Sequence, residues 1–175
     1  MQRIVAGITT LEQHVETTQK AAEVYRPKSC PHCGLEVVHQ HGHYERKADR
    51  RAVPPRLNPI PILRYRCAGC RRTCSRLPEC IAPRRWYDWS VQQQVLQQRL
   101  NGAAEHPGGG PPDRHTGARW WNWLQERGKD FVFHLRVRFA ELGRAVDTHG
   151  FWHQVFNSLG LPRAMFWLDQ EMSVP

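Results

Sequence analysis

The chain has 175 residues, of which 40% are apolar, so it can form one or two small domains with a modest core. No apolar run approaches the roughly 18 to 20 residues that a membrane span requires, and the opening sequence MQRIVAGITT lacks the layout of a secretion signal. We therefore expect a cytoplasmic protein with no membrane partner, and its formal net charge of +9 favours an anionic partner.

The positive charge is concentrated in the middle of the chain. Residues 26–85 carry fourteen basic and four acidic side chains, a net charge of +10, whereas residues 1–25 sum to −1 and residues 86–175 to zero. A field this localised is typical of a surface that meets a polyanion, most often nucleic acid. A GC-rich codon bias is the alternative explanation. Such a bias would favour Arg over Lys, but it would not gather the net charge in sixty residues.

The first predicted element is an N-terminal helix of about fifteen residues within a first segment, residues 1–27. Thr9 and Glu12 have the spacing of a capping box. The residues that follow on one helix face are Leu11, Val15, Thr18, Ala22 and Tyr25.

Two CxxC pairs dominate the second segment, residues 28–85. Cys30 and Cys33 form the first pair, Cys67 and Cys70 the second, and 33 residues separate the pairs. Zinc takes four thiolates in a tetrahedron, and a two-residue gap lets one tight turn present two sulfurs to the same ion. We therefore expect one structural Zn²⁺ bound by these four cysteines.

The separation of the pairs exceeds the usual roughly 15 to 20 residues, so a hairpin must bring the two turns together. Residues 35–39 and 60–66 have the composition of strands, and residues 47–59 that of a loop. Gly34 follows the first pair and can take a left-handed conformation, whereas the second pair, CAGCRR, lacks that glycine. The segment is predicted to be a zinc ribbon.

Other interpretations of the cysteines are weaker. A disulfide framework is disfavoured because the chain is long for a stapled scaffold, and a redox pair because neither CxxC opens a helix after a strand. One histidine could replace a cysteine, and the candidates are His32, His39, His41 and His43. Cys74 and Cys80 fall outside the pattern, and we expect both to be small buried apolar side chains.

The residues after the ribbon follow a helical period. Ser90 and Gln93 form a second capping box, and this helix is predicted to end at residues 101–102. A breaker-rich stretch, residues 103–113, precedes a third helix over residues 116–127, in which Trp120 and Trp123 are expected to pack. The two helices define a helix-turn-helix-like segment, residues 86–128. About fifteen residues separate them, where such a motif has three or four.

The last segment, residues 129–175, is predicted to be helical. A fourth helix over residues 131–146 is ended by Gly150, and a short fifth helix over residues 151–159 is stopped by Gly160. Residues 164–175 give no clear signal. The sequence thus predicts an α+β protein: an N-terminal helix, a small zinc ribbon with two CxxC knuckles and a β-hairpin, and a helical bundle.

A family resemblance rests on four blocks between residues 28 and 127. These are CPHCG, HGHYERKADR, RYRCAGCRRTCSRLPECIAPRRWY and RHTGARWWNWL. Together they resemble the zinc-ribbon plus helix-turn-helix modules of bacterial transposases and of small mobile-element proteins. The positions that match the strand motifs of that family are His41, Gly42, Tyr44, Arg46, Arg64, Tyr65, Arg66, Thr73, Ser75, Leu77 and Pro78. Cys74 stands where the family usually has Phe.

The resemblance and the charge together indicate nucleic-acid contacts in two places. The ribbon residues expected to grip phosphates are Arg46, Lys47, Arg50, Arg51, Arg64, Arg66, Arg71 and Arg72. On the third helix, Arg119 is expected to reach guanine edges, and Arg114 and Thr116 to lie near phosphates.

We do not expect an enzyme. Transposases with this front end carry a large nuclease domain whose carboxylates bind two metal ions, whereas only forty-seven, mostly helical residues follow Gly128. The expected function is that of a zinc-stabilised DNA-binding protein, a transposase-related or mobile-element accessory factor. One alternative is an adaptor for another mobile-element protein, with Phe139, Trp152, Phe156 and Trp167 as an exposed patch. RNA binding is the other.

Overall fold

A computed structural model describes residues 1–48, 54–83, 87–102 and 112–172. These residues form two compact units, Met1–Asp88 and a second that begins at Trp89. The first unit contains a four-stranded sheet and the second is helical, so the predicted α+β class is confirmed. No helix within the described ranges is long and apolar enough to cross a bilayer.

The sheet of the first unit has four strands. They are β1, Gln2–Val5; β2, Val38–Arg46; β3, Ile60–Cys67; and β4, Thr73–Pro78. Their order is β1-β4-β3-β2, with β1 parallel to β4 and the other neighbours antiparallel. The strand predicted over residues 60–66 is present, whereas the one predicted over residues 35–39 begins at residue 38.

Strand β2 begins late because the residues before it close the first cysteine turn. The backbone N–H of Cys30 donates to the carbonyl of Leu35 at 2.8 Å. Within β2 the pairing register with β3 shifts between Gln40 and His43, and Gly42 has a φ of +81°. A side chain disfavours that conformation, so the glycine permits the bulge.

Strand β1 joins the N-terminal segment to the cysteine-bearing segment. Gln2 lies opposite Ser75 and Val5 opposite Pro78, in parallel pairing with β4. Helix α1, Leu11–Lys20, lies against β3. Residues 1–27 therefore lie in the same compact unit as the ribbon segment.

Two apolar clusters form the core of the first unit. One contains Val5, Ile8, Tyr25, Cys30, Val38, Leu63, Tyr65 and Cys67. The other contains Ala48, Ile60, Ile62, Leu77 and Ile81, with Leu11, Val15, Tyr44 and Cys80 partly buried against it. Because Cys30 and Cys67 belong to the first cluster, one side of the cysteine site is continuous with the core.

Helix α1 begins one residue later than the capping box predicted. Thr10 is the N-cap, and its hydroxyl accepts from the N–H of Gln13 at 3.1 Å. The Gln13 side chain accepts in return from the N–H of Thr9 at 3.0 Å. The helix is also shorter than expected, because Ala22–Tyr25 is a separate 3-10 turn.

His14 links α1 to the sheet through a fully buried side chain. Its Nε2 lies 2.8 Å from the carbonyl oxygen of Pro61, which can only accept, so Nε2 carries the proton. Nδ1 then accepts from the hydroxyl of Tyr25 at 2.5 Å. Burial lowers the pKa of His14 and outweighs the opposite effect of the Pro61 hydrogen bond. The imidazole is therefore held in its neutral form.

The described residues of the second unit contain five helices. They are α2, Trp89–Leu100; α3, Arg114–Glu126; α4, Gly128–Arg138; α5, Thr148–Ser158; and α6, Leu161–Glu171. The predicted fourth helix is interrupted after Arg138, where a 3-10 turn, Ala140–Arg144, follows. Helix α6 was not predicted; it starts after Gly160, whose φ is +74°, and has Pro162 in its first turn.

Gln93 packs in the second unit rather than completing the predicted capping box with Ser90. Its Oε1 accepts from the N–H of Leu161 at 2.6 Å, and its Nε2 donates to the carbonyl of Phe156 at 3.4 Å. This side chain ties α2 to the junction of α5 and α6. The buried apolar residues of the second unit include Leu96, Leu124, Phe131, Leu135, Phe151, Val155, Met165 and Leu168.

Candidate metal centre and basic surface

The four predicted cysteines meet in the first unit. The sulfurs of Cys30 and Cys70 are 3.7 Å apart, as are those of Cys33 and Cys67, and all four lie within 4.8 Å of one another. A tetrahedral zinc site with Zn–S bonds of about 2.3 Å has sulfur–sulfur edges of about 3.8 Å. Two of the six sulfur–sulfur distances therefore match such a site, and the other four are at most about 1 Å longer.

The first cysteine turn is closed by backbone hydrogen bonds. The N–H of Gly34 donates to the carbonyl of Cys30 at 2.8 Å, and Gly34 has a φ of +76°. The N–H of His32 points at the sulfur of Cys30, 3.4 Å away. The left-handed glycine expected from the sequence is present.

The second turn repeats the first but has no glycine at the position equivalent to Gly34. The N–H of Arg71 donates to the carbonyl of Cys67 at 3.0 Å, and the N–H of Cys67 donates to the carbonyl of Arg72 at 3.1 Å. Arg71 has a φ of +59° and is the one non-glycine residue with positive φ in the described parts of the chain. Both turns thus have the same backbone hydrogen bonds, and Arg71 takes the place of Gly34.

The two turns also contact each other directly. A Cβ on Gly69 would lie 2.5 Å from Cδ1 of Leu35, so only glycine fits there without a shift of that leucine. The N–H of Ala68 donates to the carbonyl of Val37 at 2.9 Å. These contacts fix the position of one turn against the other.

The thiols need a cation if all four are to ionise. Desolvation raises the pKa of Cys30, but the N–H groups of His32 and Cys33 and the adjacent thiols outweigh it and lower the pKa to about 7. The N–H of Leu35 lowers the pKa of Cys33, but desolvation and the neighbouring thiols raise it to about 11. Thiolates this close repel one another, so the second becomes harder to form once the first exists. A divalent cation removes that repulsion.

No other group of three or more Cys, His, Asp or Glu side chains among the described residues is placed to hold a metal ion. His39, His41 and His43 are exposed on β2, outside the cluster. Cys74 is buried, and burial raises its pKa. Burial likewise raises the pKa of Cys80 to about 12, so both thiols are in environments that favour the unreactive neutral form.

The predicted phosphate-binding residues of the ribbon lie in different environments. Arg46 is half-buried, its Nη2 donates to the carbonyl of Ala82 at 2.6 Å, and burial lowers its pKa, so this guanidinium has a structural role. Lys47, Arg71 and Arg72 are exposed. Arg50 and Arg51, and the glycine run at residues 108–110, lie outside the described residues.

Arg64 and Arg66 share one face of the sheet. Register places Arg64 opposite Ser75, and Arg66 between Thr73 on β4 and His39 on β2. Both arginines are half-buried, and neither guanidinium has a hydrogen-bond or ion-pair partner in the part of the chain that the structure describes. We call these five residues the arginine face.

One predicted DNA-binding residue of α3 takes part in the N-cap of the helix instead. Thr116 is buried; its hydroxyl donates to Asp113 at 3.1 Å and accepts from Nη2 of Arg119 at 3.1 Å. Its hydroxyl is therefore occupied within the helix rather than presented to a phosphate. Arg114 and Arg119 are exposed, while Trp120 is buried as predicted.

The connection between α2 and α3 differs from that of a helix-turn-helix motif. Helix α2 ends at Leu100 and α3 begins at Arg114, and most of the residues between them lie outside the described ranges. The two helices do pack together. Gly117 of α3 lies so close to Val95 of α2 that a Cβ on the glycine would be only 3.3 Å from Cγ1 of the valine. The structure therefore supplies the helix pair but not the tight turn that defines the motif.

Two of the four residues predicted to form an exposed apolar patch are buried instead. Trp152 and Phe156 are only 2% and 4% exposed, so they are core residues. The large apolar side chains that are exposed in the described second unit are instead Phe133, Val137 and Val146.

Comparison with known proteins places this arrangement in a sequence family. Residues 30–120, more than half of the chain, match DUF6431, a domain of unknown function. The chain belongs to the DUF6431 family. The DUF6431 span contains all four clustered cysteines and the arginine face, together with α2 and the first half of α3. No curated protein and no solved structure matches the chain.

Proposed function

We propose that this protein is a non-catalytic DNA-binding protein stabilised by one structural Zn²⁺, and that it acts as a transposase-related or mobile-element accessory factor. Zinc suits the cysteine cluster because four thiolates at these separations form a closed tetrahedral site with no open position for chemistry. The relation to transposases rests on the resemblance of the ribbon and strand motifs.

The arginine face is the observation that carries the DNA-binding proposal. The guanidinium groups of Arg64 and Arg66 have no partner in the described residues and no buried donor left unsatisfied, so both are open to solvent and available to an anion. Arg64 and Arg66 lie two residues apart on β3, which separates their Cα atoms by about 6.6 Å. Each can hold a phosphate through paired N–H groups, and the hydroxyls of Thr73 and Ser75 add neutral donors beside them.

Duplex DNA binding is tested by a salt titration of the full chain. If about five basic residues of the ribbon segment neutralise phosphates, log affinity should fall with log salt at a slope of about −4 to −5. The double variant Arg64→Gln/Arg66→Gln should reduce the slope by about two units and weaken all sequences alike. A matched control, Lys28→Gln/Arg56→Gln, removes the same charge from exposed positions off the arginine face and should leave the slope unchanged.

Single-stranded DNA and structured RNA belong in the same titration. The proposal expects duplex DNA to bind at least as tightly as either. Tighter binding of structured RNA would indicate that the ligand is RNA rather than DNA. A salt slope near zero on every nucleic acid would refute a nucleic-acid function.

A further inference from the structure

The outward face of α4 carries apolar side chains that nothing in the described structure covers. Phe133 and Val137 lie one helical turn apart and are 64% and 75% exposed. Both line a surface depression between α4 and the start of α5, together with Val132 and Thr148. An exposed apolar surface of this kind, with polar groups around it, is typical of an interaction site.

The rim of this depression is basic. Lys129 and Arg136 line it, whereas Arg138, at the end of the helix, is stacked on the ring of Trp167 and lines a separate depression. The one acidic residue of α4, Asp130, lies 3.6 Å from Arg127. Asp147, at the start of α5, accepts from the N–H of Gly150 at 2.7 Å and caps that helix. Both carboxylates thus have partners within the chain, and the residues that line the depression include two basic side chains and no acidic one.

Arg136 is held in place although it is at the surface. Its Nη2 donates to the carbonyl of Ala145 at 2.8 Å, and its guanidinium lies 5.3 Å from the ring centroid of Phe151. Its Nη2 is thus used within the chain and its Nε is buried, so Arg136 offers an anionic group a positive charge of fixed position rather than a full set of donors.

The basic side chains that line the depression favour one kind of binding partner over the others. A second copy of the chain would bring a second Lys129 and Arg136 to the same interface and would add to the positive charge rather than neutralise it. A protruding side chain flanked by carboxylates satisfies both the apolar and the basic groups.

We propose that the depression binds an acidic amphipathic helix of a partner protein. One apolar side chain of that helix packs against Val132, Phe133 and Val137, and its carboxylates pair with Lys129 and Arg136. The surface lies on the helical unit, so it adds protein recognition to a chain whose proposed DNA contacts are centred on the arginine face.

The test is an NMR titration of the full chain with ¹³C-methyl-labelled valine. The probe is a synthetic helical peptide with Leu at every third or fourth position, Glu at the positions that flank each Leu on the same face, and Ala elsewhere. The methyl signals of Val132 and Val137 should shift and saturate, whereas those of Val24 and Val37, exposed in the first unit, should not. Phe133→Ser should weaken binding at least ten-fold, and the matched surface variant Val24→Ser should leave it unchanged.

Matched peptides separate apolar recognition from bulk charge. A peptide with Ser in place of Leu, and one with Lys in place of Glu, should each bind at least ten-fold more weakly. Equal binding of the Ser peptide, or no saturable shift at Val132 and Val137, would overturn the proposal. So would a concentration-dependent dimer, or binding to anionic vesicles, that Phe133→Ser abolishes, because the occupant would then be a second copy or a lipid surface.

Discussion

The two cysteine turns differ at one backbone position. Gly34 has a φ of +76° in the first turn, and Arg71 has a φ of +59° at the equivalent place in the second. A side chain in this left-handed region costs roughly 1–2 kcal/mol. Arg71 accepts that strain because its N–H must reach the carbonyl of Cys67 for the turn to close.

Replacing Arg71 by Gly and by Ala separates the backbone effect from the lost charge. Both variants remove the guanidinium, but only Gly relieves the left-handed strain, so Arg71→Gly should be about 1 kcal/mol more stable than Arg71→Ala. Gly34→Ala should in turn be about 1–2 kcal/mol less stable than the parent. Urea unfolding of the zinc-loaded proteins measures these differences. An Ala variant at position 71 as stable as the Gly variant would contradict the shared turn geometry.

His14 makes stability depend on pH. Burial lowers its pKa in the folded protein, so the unfolded chain takes up a proton first, near pH 6.5. Its contribution is thus fully present above about pH 6.5 and is lost as the pH falls below that value, by up to about 1.4 kcal/mol per pH unit. His14→Gln, which keeps one donor and one acceptor, should flatten this dependence relative to the parent.

The comparison uses urea midpoints between pH 8 and pH 5.5. Because the cysteine ligands also take up protons, the readout is the difference between parent and variant. Replacing the exposed His41 by Gln is the control and should leave the dependence unchanged. The same slope in His14→Gln as in the parent would show that other groups cause it.

The sequence predicted the roles of single residues where their partners lie close in the chain. The spacing within each CxxC pair predicted the cysteine cluster, because a tight turn alone brings two sulfurs together. His14 could not be assigned a role, since its partners, Tyr25 and the Pro61 carbonyl, come from other elements. Its one signal is its place beside Leu11 and Val15 on the apolar face of the helix.

Among the elements, those with a clear period were predictable and those defined by distant partners were not. Strand β3 and the helices α2 and α3 follow from apolar pattern and caps. Strand β1 has only four residues and gains its pairing from β4, some seventy residues later. Helix α6 was missed because Gly160 was interpreted only as the end of the preceding helix, although Pro162 in the first turn is typical of a helix start.

Helix α3 supports a pair of contrasting substitutions. Arg119 is exposed, so Arg119→Ala should cost about 1–3 kcal/mol on a preferred DNA site while leaving random DNA nearly unaffected. Trp120 is buried, and Trp120→Ala should destabilise the fold by roughly 3–5 kcal/mol. Competition binding and thermal unfolding distinguish the two. Equal weakening by Arg119→Ala on every sequence would make that arginine a phosphate contact only.

Over the whole molecule, the charge pattern of the sequence follows the division into units. The basic stretch, residues 26–85, falls entirely within the unit Met1–Asp88. Composition could locate this field, but it could not reveal that Arg46 is turned to the Ala82 carbonyl while Arg64 and Arg66 have no partner in the described residues. That distinction depends on strand register, which needs the paired strand as well as the sequence.

Metal removal should affect the two units differently. All four ligands belong to the first unit, and apparent binding energies of structural zinc are about 10–16 kcal/mol. A strong chelator or Cys67→Ser should therefore unfold at least residues 28–80, while amides of α2–α6 stay protected in hydrogen exchange. Elemental analysis should give one zinc per chain. Protein purified without added metal that contains none, with four freely titratable thiols, would contradict the site.

The parallel pairing of β1 with β4 has a consequence for the order of events on the ribosome. Strand β1 is synthesised first, but Ser75 and its neighbours emerge about seventy residues later, roughly 4–14 s at ordinary translation rates. During that interval Ile4 and Val5 have no strand to join. The second cysteine turn immediately precedes β4, so closure of the metal site and arrival of β1's partner come almost together. The first unit is therefore expected to assemble from its middle outward, with its earliest residues added last.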